Sequence, residues 1–225
     1  MGSTRLPKKS MLPLAGEPLV YRVLQRVLNA YSKYEVILAI PNLREDDILA
    51  EQARRLDISC IRGDESNVAE RFALAIKKFD LDVVIRIPAD NYLTEPWAIE
   101  LLIKKHLEHR SGFTTNIMPI LNSGFPDGIG GEAFEGIEFL EKHSDLCMPE
   151  TDEHVHRHFY DYKTELKDAL NESLIRTTEC PPQYRHPEYS FDINTISDYK
   201  FASKLYEALW DEGRLFSLLD AVAWI

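Results

Sequence analysis

The stretch EVILAIPNLREDDILAEQARRLDISCI, residues 35–61, contains two short apolar runs separated by an amphipathic segment. The first run, Glu35–Ile40, stops at Pro41 and is typical of a strand buried on both faces. Glu45–Leu56 carries acids in its first turn and arginines in its last, as the helix dipole favours, and Ile58–Ile61 is the second apolar run. This stretch therefore predicts a strand, a helix and a second strand, which is the unit of a parallel sheet.

The same alternation continues on both sides of this unit. Further predicted elements are helices at Pro18–Ser32, Asn67–Phe79 and Glu95–Leu107, and strands at Asp82–Ile87 and Gly112–Ile120. The repeated alternation predicts an α/β fold with a mostly parallel sheet and helices on both faces. Such sheets bind ligands at the carboxyl ends of their strands, so we expect a site at the turns after Ile40, Ile61 and Ile87.

The pattern changes at LNSGFPDGIGGEAFEG, residues 121–136, because its glycines disfavour a long regular element. We interpret residues 121–165 as an excursion from the sheet. Beyond residue 135, the predicted elements are helices at Gly136–His143, Thr151–Asp161, Lys163–Leu170 and Thr195–Glu212 and strands at Ser173–Glu179 and Tyr189–Ile193. A chain of 225 residues suits one core, so we predict a single domain at 1–225.

Composition argues against several classes of protein. The formal net charge is −11, whereas sequence-independent binding to nucleic acid depends on Lys and Arg. The apolar runs are too short to span a bilayer and Met1–Ser10 is too polar for a secretory signal, so we expect a cytoplasmic protein that neither binds nucleic acid nor enters a membrane. Cys60, Cys147 and Cys180 lack the spacing of a disulfide framework or a zinc site.

The N-terminal residues are a candidate phosphate-binding loop. The loop offers backbone N–H groups, two hydroxyls and three cations, all of which suit phosphate oxygens. These groups belong to Gly2, Ser3, Thr4, Arg5, Lys8 and Lys9. The spacing G-x-x-x-x-G-K-[ST] is absent, which excludes a Walker loop. A frayed, solvated N-terminus is the alternative interpretation.

Asp90 is a candidate metal ligand. It follows the predicted strand Asp82–Ile87 after Pro88 and Ala89, which puts its carboxylate at the carboxyl edge of the sheet. One carboxylate there can hold Mg²⁺ while substrate phosphates and water complete the coordination. A turn aspartate that bonds its own backbone is the alternative.

Seven stretches carry a resemblance to a known family. In chain order they are GSTRLP-x-K, LPLAGEPL, RGDESNVAERF, RIPADNYLTEP, FPDGIGGEAFE, DEHV and FDINTISDYKF. In this order they resemble nucleotidylyltransferases of the cytidylyltransferase type, in the branch of spore-coat polysaccharide biosynthesis and acylneuraminate cytidylyltransferase-like proteins. The resemblance implies a three-layer, Rossmann-like fold of the nucleotide-diphospho-sugar transferase type, with a small dimerisation and sugar-side excursion.

The resemblance also implies roles for residues near the nucleotide. By position, Arg5 and Lys9 neutralise the phosphates of the triphosphate, residues 2–4 supply donors, and Asp90 carries the divalent metal, Mg²⁺ or Mn²⁺. Asn67 and Arg71 fall beside the nucleotide pocket, although an arginine on an amphipathic helix is also typical of a protein surface.

Two acidic residues of the excursion match family positions on the sugar side of the pocket. These are Asp127 and Glu132, and either can equally be a turn former.

The reaction implied by the resemblance is attack by the anomeric hydroxyl of a sugar acid on the α-phosphorus of CTP, with pyrophosphate leaving. Fixed cations and Mg²⁺ would stabilise the charge that builds on the phosphoryl oxygens. This chemistry needs no nucleophilic serine or cysteine, and the chain has no G-x-S-x-G motif. The resemblance further implies a homodimer that uses CTP and a sugar acid or related sugar for surface-glycan synthesis.

Three positions depart from the family pattern. Members of the family begin with a buried strand that ends in Gln-Ala-Arg, whereas here Met1 stands at the start of the loop. We therefore expect the native start to lie upstream. The alternative is a genuinely shortened chain, which would have the same sequence. Lys8 replaces a glycine. Asn194 aligns with a second metal-binding aspartate, and Asp192, on the same strand face, either substitutes for it or caps the helix that starts near Thr195.

His154, His156 and His158 lie in DEHVHRHFY, and on a helix the first and last would share a face as a metal pair does. No H-E-x-x-H motif is present, and the family uses this segment near its subunit contact, so we favour a structural role.

Two other functions are compatible with the sequence. A sugar-nucleotide-binding or regulatory protein of the same fold would have lost catalysis together with the first strand and the aspartate at position 194. A metal-dependent glycosyltransferase usually carries Asp-x-Asp after the comparable strand, where this chain has ADNY.

Overall fold

The computed structural model describes residues 6–30, 34–110, 112–117, 123–145, 155, 159, 175–211 and 214–225. Its helices are α1 (Leu19–Ala30), α2 (Asp47–Arg55), α3 (Val68–Phe79), α4 (Pro96–Leu107), α5 (Gly136–Asp145), α6 (Ile196–Leu209) and α7 (Leu218–Trp224). Its strands are β1 (Pro13–Leu14), β2 (Glu17–Pro18), β3 (Ile37–Pro41), β4 (Ser59–Gly63), β5 (Val83–Arg86), β6 (Phe113–Thr115), β7 (Glu132–Glu135) and β8 (Ile175–Arg176).

The structure confirms the predicted α/β fold class and the alternation of strands and helices from α1 to β6. The hairpin of β1 and β2 and helix α7 were not predicted, and the predicted helices Thr151–Asp161 and Lys163–Leu170 lie outside the described residues. None of the helices in the described part of the chain is long and apolar enough to cross a membrane.

The strands form two main sheets within the described residues. β3 and β4 are a parallel pair, with Ile37 opposite Ser59 and Pro41 opposite Gly63. The second sheet has the order β5-β7-β6-β8, in which β7 runs antiparallel to β5 and β6, and β8 runs parallel to β6. The sheet is therefore more mixed than the sequence predicted.

β7 lies inside the stretch that the sequence assigned to the excursion. All four of its residues are buried, and it pairs with a strand on each side. Glycines flank it because the backbone is crowded there: a Cβ at Gly131 would lie 2.6 Å from Arg86 O, and one at Gly136 would lie 2.1 Å from Leu81 O. The interpretation of this part as irregular is wrong, since its glycines mark close approaches at the ends of a buried strand.

One hydrophobic cluster fixes the turn that follows β5. Tyr92 and Leu93 are buried there with Phe191 and with Tyr206 of α6. The Tyr206 hydroxyl donates to Tyr92 O at 2.9 Å, and Arg26 of α1 donates through Nε to Thr94 O at 2.8 Å. Two helices therefore hold this turn by buried contacts.

Candidate functional site

Lys9 is placed by a tightly folded N-terminal segment. It begins a short 3₁₀ turn, Lys9–Met11, which follows Lys8 in the left-handed backbone region at φ 57°. Just beyond it, Arg22 of α1 donates to Leu14 O at 2.9 Å, which ties the hairpin to the helix. The Lys9 ammonium reaches Asp90, with Nζ 2.6 Å from Oδ2. The frayed-terminus alternative therefore does not hold from Lys9 onward.

Asp90 lies at the carboxyl end of β5, as predicted. Its partner Lys9 is 81 residues away in sequence, and the two side chains are 26% and 15% exposed, so the ion pair is partly shielded from water. The Asp90 backbone oxygen accepts from Ile193 N at 3.2 Å, and Asn91 forms a single antiparallel bridge with Asp192. These long-range contacts favour the predicted site over a local turn role.

Asp127 joins the same site through the segment at Tyr189–Ile193. Asp127 N donates to Tyr189 O at 3.1 Å, and Phe191 N donates to Asp127 O at 2.9 Å. Burial raises the pKa of the Asp127 carboxyl, and the negative charges of Asp192 and Asp90 raise it further. The structure thus brings three carboxylates from three separate segments close enough to interact electrostatically. The Asp127 carboxylate also accepts from Gly128 N at 2.8 Å, so it shapes its turn as well.

Gly128 is a positioning residue that the sequence analysis missed. It has φ +81°, and a Cβ there would lie 2.3 Å from Phe191 C and 2.6 Å from Asp192 N. Only glycine allows the two backbones to approach this closely. The signal in the sequence was the Asp-Gly pair within the glycine-rich stretch.

Asp192 is held by its neighbours along the chain. Short hydrogen bonds reach its two carboxylate oxygens from Ser190 Oγ and Asn194 Nδ2. The alternative role of Asp192 as a helix cap is wrong, since Thr195 caps α6 in a capping box with Asp198. The predicted strand at Tyr189–Ile193 consists of single bridges rather than a ladder.

The oxygen donors of this site fit a magnesium ion that is shared with a substrate. The described residues contain no group of three His, Cys, Asp or Glu side chains arranged to hold a metal ion by themselves. Mg²⁺ is usually bound by one or two carboxylates together with waters and substrate phosphates. Asp90 and Asp192, on backbone segments that pair with each other, are the residues that would hold it.

Three predicted residues have structural contacts in addition to their predicted roles. Asn67 caps α3 by accepting from Glu70 N at 2.8 Å, and Arg71 donates to Asp64 O at 2.8 Å. Arg71 is buried, so the surface alternative is wrong, and it anchors the loop at the carboxyl end of β4. Glu132 is buried and forms a short ion pair with Arg86 across β5 and β7. Their roles toward nucleotide and sugar stay predictions.

Several predicted residues lie outside the described residues. They are Gly2, Ser3, Thr4, Arg5, His154, His156 and His158. Their roles also stay predictions.

Comparisons with known proteins bear on the family and the fold of the chain. The model of the family described as cytidylyltransferase matches residues 1–213. The chain is 28% identical over 212 residues to the spore coat polysaccharide biosynthesis protein SpsF of Bacillus subtilis (strain 168), covering 92% of this chain and 83% of SpsF. It is 32% identical over 123 residues to the 3-deoxy-manno-octulosonate cytidylyltransferase of Chloroherpeton thalassium (strain ATCC 35110 / GB-78), covering 53% of this chain and 48% of that enzyme.

A solved structure shares the fold. It is that of a cytidylyltransferase from Leptospira borgpetersenii serovar Hardjo-bovis (strain JB197), with a TM-score of 0.79 and 24% identity over 100% of this chain and 90% of that one. This likeness shows the fold.

Proposed function

Because the chain belongs to the cytidylyltransferase family, and is therefore a nucleotidyltransferase enzyme, we propose that it transfers CMP from CTP to a sugar acid or related sugar and releases pyrophosphate. Two relatives support a place in sugar metabolism: one is a spore coat polysaccharide biosynthesis protein and the other a 3-deoxy-manno-octulosonate cytidylyltransferase. The acceptor would serve the synthesis of a surface glycan.

The Lys9–Asp90 contact is the observation that carries this proposal. It places a fixed cation 2.6 Å from a carboxylate at the carboxyl end of a strand, where sheets of this class bind ligands. A triphosphate needs such a cation beside a metal-binding carboxylate, because charge builds on its oxygens as pyrophosphate leaves. When bound, Mg²⁺ supplies the rest of that positive charge.

Each described residue of the site has a distinct proposed task. Lys9 binds the phosphates, and Asp90 with Asp192 holds the metal, while Asn194 orients Asp192 through its amide. Asp127 and Glu132 stay assigned to the sugar side. We also propose that the enzyme is a cytoplasmic homodimer, which equilibrium sedimentation and fractionation of cells would test.

The test of the proposal is pyrophosphate release with CTP, Mg²⁺ and a panel of sugar acids. At least one sugar acid should give release with CTP, and UTP should give less. Asp90→Asn should reduce the rate about 100-fold or more, because the neutral amide binds Mg²⁺ poorly. Asp80→Asn is the matched control, since Asp80 is an exposed aspartate at the end of α3.

Binding measurements separate this enzyme from an inactive relative of the same fold. A catalyst should bind CTP more tightly when Mg²⁺ is present. CTP binding that is indifferent to Mg²⁺, together with no pyrophosphate release from any acceptor, would instead support a sugar-nucleotide-binding protein. Hydrolysis of a sugar nucleotide without pyrophosphate release would support a glycosyltransferase.

A further inference from the structure

Glu95 lies at a junction of three segments beside the candidate site. It is the residue before helix α4 and ends the buried turn that follows Asp90. Its amide donates to Ile129 O at 2.8 Å, in the segment that carries Asp127. Its carboxylate oxygen Oε1 accepts from the amide of Leu218, the first residue of α7, at 2.5 Å. One residue therefore joins the segments of Asp90 and Asp127 to each other and to the C-terminal helix.

Arg26 of α1 holds this junction through its guanidinium. Its Nε donates to Thr94 O at 2.8 Å, and its Nη2 donates to Phe216 O at 3.0 Å and to Glu95 Oε1 at 3.3 Å. The side chains of Arg26 and Glu95 are almost completely buried, at 2% and 5% exposed. Because the guanidinium is planar and its donors form a rigid fork, it fixes the relative positions of the three acceptors, which a lysine ammonium cannot do.

A gain in stability alone does not account for this buried pair. Taking two charges out of water is costly, and apolar residues of similar volume are often as stabilising as a buried ion pair or more so. Burial raises the pKa of the Glu95 carboxyl against the opposing charge of Arg26, which shows that the carboxylate carries this cost. What apolar residues could not supply is direction, since each hydrogen bond of the pair fixes one segment at a defined distance.

The turn that the junction holds is the one that places Asp90. The Asp90 side chain is partly exposed, whereas residues 91–95 are all buried, so its carboxylate stands where the chain enters the core. The turn is also closed on itself, because the amide and the hydroxyl of Thr94 both donate to Asn91 O, at 3.3 and 2.9 Å. A displacement of Glu95 would therefore move the turn as a unit. Mg²⁺ tolerates such a displacement poorly, because it requires near-ideal octahedral geometry.

We propose that Glu95, oriented by Arg26, is a positioning residue that sets the place of the Asp90 carboxylate relative to Asp127 and thereby controls the Mg²⁺-dependent binding of CTP. It acts through the backbone of the turn. The inference rests on the proposed function, since Asp90 is the metal ligand of that site.

Two variants test the proposal while keeping part of the junction. Glu95→Gln keeps an acceptor for the Leu218 amide but loses the ion pair, and Arg26→Lys keeps the charge but loses the fork. In both, the gain in CTP affinity that Mg²⁺ provides should fall about 10- to 100-fold in titration calorimetry, the size of effect expected when a reacting group is slightly misplaced. CTP binding without Mg²⁺, which depends on the phosphate-binding cations, should not change.

The matched control is Glu135→Gln. Glu135 is also a buried glutamate with an arginine partner, since Arg110 Nη2 lies 3.2 Å from its Oε2. It pairs with Val83 at the start of β5, at the opposite end of the strand from Asp90. This variant should lower the urea midpoint, because it weakens a partly buried ion pair, and it should leave the effect of Mg²⁺ on CTP binding as it is.

A second readout does not depend on any ligand. Hydrogen exchange at the amides of residues 91–95 should become about tenfold faster in Glu95→Gln and in Arg26→Lys, relative to the amides of β4. If the wild-type chain binds no CTP, the proposed function fails, and the exchange rates alone decide whether Glu95 positions the turn. Unchanged exchange at residues 91–95 would overturn the inference. So would an unchanged effect of Mg²⁺, or an equal loss of CTP affinity with and without Mg²⁺, which is what a general loss of folding would cause.

Discussion

Lys9 Nζ lies 2.6 Å from Asp90 Oδ2, so the cation of the N-terminal loop is the counter-ion of the candidate metal ligand. The pair joins two parts of the chain 81 residues apart. In the proposed reaction both groups acquire new partners, because the ammonium binds phosphate oxygens and the carboxylate binds the metal. Ligand binding must therefore exchange this ion pair for two new contacts.

Replacing Lys9 should affect CTP and Mg²⁺ in opposite directions. Lys9→Met removes a charge-assisted contact to phosphate, which is about 1.5–3 kcal/mol, so CTP should bind about 10- to 100-fold more weakly. Mg²⁺ alone should bind more tightly, because Asp90 is released from its counter-ion. Titration calorimetry measures both. Lys77→Met is the control, since Lys77 is an exposed lysine in the last turn of α3, and equal effects of the two variants would contradict the assignment.

Gly128 should be far less tolerant of a side chain than Gly16. Both have φ near +82°, but a Cβ at Gly16 meets nothing within 4 Å, whereas one at Gly128 meets the backbone of Phe191 at 2.3 Å. Gly16→Ala should cost about 1–2 kcal/mol of unfolding free energy from the left-handed backbone alone. Gly128→Ala should cost at least about 2 kcal/mol more and weaken the Mg²⁺-dependent binding of CTP, because the segment that carries Asp192 must move. Urea denaturation measures the difference, and equal costs would contradict this packing.

Lys8→Gly should stabilise the protein. Lys8 adopts φ 57°, a conformation that costs a residue with a side chain about 1–2 kcal/mol and glycine almost nothing. Part of this gain is lost to the greater freedom of glycine in the unfolded chain, so we expect a net gain of about 0.5–1 kcal/mol. Lys8→Ala keeps the backbone strain and removes the charge, so it should show no such gain in a urea titration.

Stability should fall with decreasing pH through His106. This residue is buried, with Nδ1 3.0 Å from Thr114 Oγ1 and Nε2 3.3 Å from Glu135 Oε1. Burial lowers the pKa of His106, against the opposing charge of Glu135. Below about pH 6.5 the unfolded chain binds a proton that the folded chain resists, so the unfolding free energy should fall by up to about 1.4 kcal/mol per pH unit from this group.

The comparison that isolates His106 uses two glutamine variants. His106→Gln should flatten the pH dependence of the unfolding free energy below about pH 6.5, the ordinary pKa of histidine in an unfolded chain. His109→Gln, which changes an exposed histidine three residues further along the chain, should leave the slope as it is. Parallel curves for the wild-type chain and His106→Gln would show that another group causes the acid sensitivity.

Local sequence pattern was enough to predict most elements and the position of Asp90. Helix α3 spans Val68–Phe79, one residue shorter than the amphipathic pattern of Asn67–Phe79 predicts, because Asn67 caps it. Asp90 follows β5 at the predicted edge because the number of residues after a strand largely sets where a side chain emerges. Such features depend on residues a few positions apart. The resemblance to the family likewise depended on short sequence stretches and on their order along the chain.

Only the tertiary structure determined how distant segments meet. β7 was hidden in a glycine-rich stretch because its glycines are required by Arg86, Leu81 and Phe191, which lie far away in sequence. The three interacting carboxylates, Asp90, Asp127 and Asp192, come from separate segments. Isolated β-bridges between Asn91 and Asp192 and between Asp127 and Ser190 join these segments. The spacing of apolar residues indicates which face of a helix or strand is apolar. Which other element covers that face is determined by packing across the whole chain.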